Sequence, residues 1–175
     1  MHELMFARIS GTPRTGIVLQ TRAKIDVINE QAPLPDEQNI SDFNRALKKQ
    51  LNWKLRKAPC GIYNCYGHIW ANRRTSIYDN IEVIKFIEQD GYKKIDLKDL
   101  EVGDLVLYRR VNNLKHIDHI DHVGLVYKIE EAEGFTYRTP WVISKFRDFG
   151  GEVLHTASDF PHYDDTLIQY LTDRL

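Results

Sequence analysis

Residues 104–110 read Asp104-Leu105-Val106-Leu107-Tyr108-Arg109-Arg110, and residues 122–129 read His122-Val123-Gly124-Leu125-Val126-Tyr127-Lys128-Ile129. Runs this short, rich in Val, Leu, Ile and Tyr, predict strands rather than helices. Two more runs of the same character follow at 141–146 and 151–155, and Asn112-Asn113, Glu133-Gly134 and Gly150-Gly151 supply the turns between them. The segment 166–175 fits either a last strand or a short helix. Upstream the period changes. Phe43, Leu47 and Leu51 recur every fourth residue with Ala46 and Leu55 beside them, which predicts a helix over 42–55 capped by Ser41. A second helix is expected to begin near Cys65 and run toward Asn72 or Arg73. A third is expected over 80–90, with Ile81, Ile84 and Ile87 on one face, Val83 and Phe86 widening it, and Gly91 at its end. Pro33 and Pro35 mark 30–39 as a loop, while 16–28 reads as one or two short strands or an extended arm. Helices first and strands after predict an α+β fold, with helices from the N-terminal half on one face of an antiparallel sheet from the C-terminal half. One domain over 1–175 is expected, with 1–40 an N-terminal extension and 41–175 the core.

A chain of 175 residues, 42% of them hydrophobic, forms a core without help from disulfides or a structural metal, so its two cysteines are free for other work. Lys and Arg number 24 against 25 Asp and Glu, which leaves a net charge of -1 and no electrostatic footprint for nucleic acid or an anionic membrane. The first twenty residues hold no apolar run of signal-peptide length, and nothing later approaches a membrane span. A cytoplasmic chain with reduced thiols is the expectation.

The chemistry is sought around those thiols, because a cysteine works as a nucleophile only when its thiolate is stabilised. Cys65 falls at the expected start of a helix, where unpaired N–H groups favour an anion, whereas Cys60 sits between Pro59 and Gly61 in the loop before it. Cys65 is therefore the expected reactive thiol, and burial in the core is the alternative for it. A base must come from elsewhere in the fold. His122 opens a strand on which Gly124 shares its face and leaves space beside the imidazole. His68, one turn after Cys65, reads as a packing or supporting polar group.

At these residues the chain resembles a known family. Asn64-Cys65-Tyr66-Gly67 is similar to the Asp-Cys-Ser-Gly that opens the nucleophile helix of NlpC-type papain-like peptidases, Val102-Gly103-Asp104-Leu105-Val106 resembles their Gly-Asp-Leu strand, and His122-Val123-Gly124-Leu125-Val126 resembles their His-Val-Gly-Ile strand. The three motifs come in the family's order over roughly residues 60 to 150. The resemblance implies a papain-like fold and hydrolysis of an amide bond, in a peptide, an isopeptide or a peptidoglycan fragment, with no cofactor. It implies Cys65 as nucleophile, His122 as general base, and a third polar residue on the next strand, for which Ser144 is the candidate and His155 the fallback. The Cys65 N–H and Tyr63 are then the oxyanion donors, and Tyr66 and Gly124 border the substrate. Tyr66 stands where the family carries a small Ser.

Two other readings compete. His116, His119 and His122 repeat at every third residue with Asp118 and Asp121 between, a donor set suited to zinc, although the spacing fits a helix face better than the strand expected at His122. Alternatively the papain-like core is a catalytically silent binding module whose Cys and His are relics.

Overall fold

The computed structural model describes residues 17–111, 118–131, 137–160 and 166–174. The first helix, α1, spans Glu37–Lys49 and is closed by a reciprocal cap: the Asn39 N–H donates to the Asp36 carboxylate at 2.7 Å while the Asn39 side chain accepts from the Asp36 N–H. This cap lies upstream of the expected Ser41, so the helix begins earlier than 42 and also stops earlier than 55. Only Phe43 is buried on it, and Leu47 packs beside the same cluster. Leu51 is 97% exposed, because the chain turns at Gln50 to send Trp53 into the core, and Leu55 falls on the strand β1, Lys54–Lys57.

Helix α2 spans Cys65–Trp70, starting where the sequence suggested and ending short of Asn72. Helix α3 spans Asn80–Gln89, close to the expected 80–90. Its buried face is Val83 and Phe86, while Ile81 is exposed. The Trp70 ring stacks on Phe86 at 5.7 Å and 10°, and this contact selects the 83/86 face.

Strand β2, Lys93–Ile95, is followed by β3, Leu105–Val111, β4, Asp118–Glu131, β5, Arg138–Lys145, β6, Glu152–Thr156, and β7, Thr166–Thr172. Among the described residues all strand pairings are antiparallel, and the seven strands run in the order β1-β6-β5-β4-β3-β7-β2. The fold is therefore α+β, and 166–175 supplies a strand. β1 and β2 were not foreseen.

The helices do not keep to one face. Leu105, Leu107, Ile120 and Val123 pack with Cys65, Tyr66, Val83 and Phe86 from α2 and α3 on one side. Val106, Tyr108, Val126 and Val142 pack with Leu100, Ala157 and Phe160 on the other, where α1 adds Phe43 against Trp53 and Val153. The central strands are apolar at both odd and even positions, so both faces need cover. Within 17–40, Leu19 and Val27 are buried in the α2–α3 cluster, and Glu30 and Ser76 exchange backbone hydrogen bonds, so this part of the expected extension is packed into the core. Among the described residues no helix is long and apolar enough to cross a membrane.

Candidate active site

Asn64 shapes the start of α2. Its side-chain oxygen accepts from the N–H of Gly67 at 2.9 Å and of Ile77 at 3.2 Å, and its amide donates to the Ile77 carbonyl. Gly67 is required here, because a β-carbon on it would lie 1.8 Å from the Thr75 carbonyl oxygen. The result is a short helix pressed against β4 with Cys65 as its first residue.

Cys65 is 7% exposed and packs with Val123 and Tyr66. Burial, aided by the nearby Asp148 carboxylate, pushes its thiol up to about 12, although the N–H groups of Val123, Tyr66 and Cys65 itself pull the other way. Burial outweighs the helix end, which is only six residues long. The thiol is protonated at neutral pH.

His122 immediately precedes Val123 on β4 and therefore points to the opposite face of the sheet. There it is 4% exposed, its ring stacked on Phe160 at 3.9 Å and 8° and lying 5.5 Å from the Tyr108 ring. Burial, then His155 and His68, holds the imidazole well below its ordinary pKa, and it is neutral. The strand that carries the imidazole thus stands between it and Cys65, and the expected Cys65–His122 pair is not formed.

His122 instead shares its face with the two other candidates. The His155 Nδ1 lies 2.8 Å from the Thr156 carbonyl, which fixes it as the donor, so His155 Nε2 accepts from the Ser144 hydroxyl at 2.8 Å. Phe160 lies 5.3 Å from the His155 ring and stacks on His122, joining the group. Ser144 and His155 are fully buried. Burial first of all lowers His155 from 6.5 to about 4.

The expected oxyanion and substrate groups are engaged elsewhere. The Tyr63 hydroxyl donates to Glu152 Oε1 at 2.6 Å, and the Tyr66 hydroxyl donates to the Ile120 carbonyl. Gly124 faces Val142 and Ser144, not the Cys65 helix: a β-carbon there would lie 2.2 Å from Val142 Cγ1 and 3.2 Å from the Ile143 carbonyl oxygen. Val142 is fully buried and branched at Cβ, so it has little room to turn away. Gly124→Ala is expected to lower stability by about 1–3 kcal/mol while leaving Cys65 labelling unchanged. Urea denaturation checks this, and a neutral or stabilised variant contradicts the placement.

His116 of the proposed metal set lies outside the described residues. His119 Nδ1 pairs with the Asn80 amide at 3.0 Å and its Nε2 lies 3.3 Å from Asp121, whereas His122 is stacked in the core, so these two imidazoles are not a converging pair. Among the described residues no cluster of three or more His, Cys, Asp or Glu has metal-binding geometry.

A buried charged group that the sequence pattern does not reveal lies beside α2. Lys145, with no exposed surface, donates to the carbonyls of Cys60 at 2.9 Å, of Asp148 at 3.2 Å and of Gly150. Glu152 accepts from Tyr63 and from Arg73 Nε at 2.5 Å, and Arg73 Nη2 reaches His68 Nε2 at 2.9 Å. Burial lowers His68 from 6.5 to about 4, so it accepts from Arg73 as a neutral imidazole. The available signals were a Lys closing an apolar strand and a Glu opening one.

No family model matches the chain, and neither a curated protein nor a solved structure matches it.

Proposed function

We infer that this chain acts as a binding module on an α+β scaffold of papain-like layout, with Cys65 and His122 serving the core instead of forming a hydrolytic pair. The observation that carries the reading is their separation across β4: Cys65 packs with Val123 on the α2 face, and His122 stacks on Phe160 on the other. A cysteine hydrolase needs a thiolate with a base in hydrogen-bond reach. Here burial favours the neutral thiol and the neutral imidazole alike. Ser144 and His155 form an oriented hydroxyl–imidazole pair, but with no exposed surface they have no route to a substrate and read as a satisfied polar contact in the core.

The test is thiol reactivity in the folded protein. Iodoacetamide at pH 6 to 7, followed by peptide mapping, is expected to modify the half-buried Cys60 and to spare Cys65 until the protein is unfolded. Selective modification of Cys65 at pH 6 would overturn the reading in favour of the hydrolase that the motifs imply.

A further inference from the structure

The turn that follows α2 is held in a strained shape. Asn72 and Arg73 are consecutive left-handed residues, at φ 46° and 64°, and neither is glycine. The Gly67 carbonyl accepts from the N–H of Ala71 at 3.2 Å and of Arg73 at 3.0 Å, which folds the chain back over the helix. The Arg73 side chain, 37% exposed, then reaches the buried Glu152 and His68. Such a turn persists only where the contacts around it hold it, and here Arg73 is the side-chain tether. His68 Nε2 lies 3.8 Å from Glu152 Oε1, the same oxygen that Arg73 Nε engages at 2.5 Å. Just beyond the turn, Thr75 and Ser76 hold the 29–30 segment through Asn29 Oδ1 at 3.0 Å and the Glu30 backbone, so the turn joins α2 to that segment.

We propose that His68 and Arg73 compete for Glu152, so that a proton on His68 passes the carboxylate from the guanidinium to the imidazole and frees the turn at 71–74 from α2. As a neutral ring, His68 accepts at Nε2 from Arg73 Nη2 at 2.9 Å. Once the ring is protonated, Nε2 carries a hydrogen and two donors face one another. A shift of about 1 Å brings Nε2 within hydrogen-bond reach of Glu152. Arg73 is the partner that leaves, since its head reaches water while His68 and Glu152 are enclosed. The groups that face His68 are Tyr63 of the loop before α2, its ring 6.3 Å away, Glu152 of β6, Arg73 of the turn, Lys57 of β1, Lys145 of β5 and, across β4, the neutral His122. Of these, Glu152 favours the imidazolium and the three cations oppose it, so expelling the Arg73 head removes one opponent and leaves Glu152 to His68. With the turn closed, His68 takes up its proton only near 4, and with the turn open it does so nearer its ordinary 6.5. Acid therefore favours the open form.

Native-state amide hydrogen exchange on the full chain, followed by NMR from pH 6.5 to 4.5 and corrected for the intrinsic rate, tests this latch. The N–H groups of Arg73 and Arg74 report on the turn, and the Val126 N–H, bonded to the Asp104 carbonyl in the sheet, reports on unfolding of the whole. Protection at Arg73 and Arg74 is expected to lie below that of Val126 throughout and to fall about tenfold per pH unit, the signature of one proton. His68→Gln keeps an acceptor for Arg73 but takes up no proton, and it makes the turn's protection independent of pH. Arg73→Gly suits the left-handed backbone and removes the competing head. In that variant the turn's profile is also flat, and the His68 ring titrates at higher pH than in the parent. Turn amides that exchange in step with Val126, protection in the parent that does not change with pH, or a slope that survives either substitution overturns the proposal.

Discussion

Lowering the pH from 7 to about 4 is expected to unfold the protein, because the core holds His68, His122 and His155 as neutral imidazoles. An unfolded imidazole takes up its proton near 6.5, while His68 and His155 resist until about 4 in the folded chain. The unfolded state therefore binds more protons across that window. Stability is complete above pH 6.5, falls as the pH drops through the window, and has lost the whole contribution below 4. Shifts of this size correspond to about 3 kcal/mol for each of the two groups, and His122 adds to the loss. Glu152, whose carboxyl burial would raise but Arg73 and Tyr63 hold low, acts in the same direction. Asp148, raised by burial, acts in the opposite one. A domain with about 5–15 kcal/mol in total loses much of it by pH 4. Urea denaturation at half-unit steps of pH measures the slope, and His155→Gln is expected to flatten it by close to one proton. A stability unchanged between pH 7 and 4.5 contradicts the placement of these rings.

Lys145→Met is expected to be the most damaging single substitution. Methionine keeps the length of the stem but removes the ammonium that the carbonyls of Cys60, Asp148 and Gly150 share. Those oxygens then lose a charged donor inside the fold, and the Asp148 and Glu152 carboxylates lose the cation that acts on them. Losing one partner of a buried charged group costs about 3–5 kcal/mol. For a chain of this size that is a fall in Tm of roughly 10 °C or more. The turn at 146–151 and the loop before α2 open together, so Cys60 becomes more reactive. Thermal unfolding of the variant at pH 7 gives the answer, and a Tm within a degree or two of the parent contradicts the account.

The start of α2 at Cys65 and the strand character of 104–110 and 122–129 were legible because caps and short branched runs act locally. The face that His122 occupies was not. Alternation correctly groups His122 with Gly124, but Val123 and Leu125 on one side and Val126 and Ile129 on the other are equally apolar. Nothing in the pattern says which side meets the helix. Ser144 and His155 could be named singly, yet their contact depends on the pairing of Val142 with His155 and of Ser144 with Val153 across β5 and β6. Lys145 was hidden for a related reason, since its partners are carbonyls of the 146–151 turn and of the loop before α2, whose courses no side-chain pattern records. At α1, the reciprocal Asp36–Asn39 cap prevailed over Ser41 because it satisfies two backbone groups at once.

Proton–proton contacts in solution decide whether β4 separates the Cys65 thiol from the His122 imidazole. In a nuclear Overhauser experiment on the folded protein at pH 7, the Cys65 β-protons are expected to show contacts to the Val123 methyl groups and none to the His122 ring, whose protons show contacts to Phe160 and Tyr108. A contact between the Cys65 β-protons and the His122 ring would contradict the account and restore the catalytic pair.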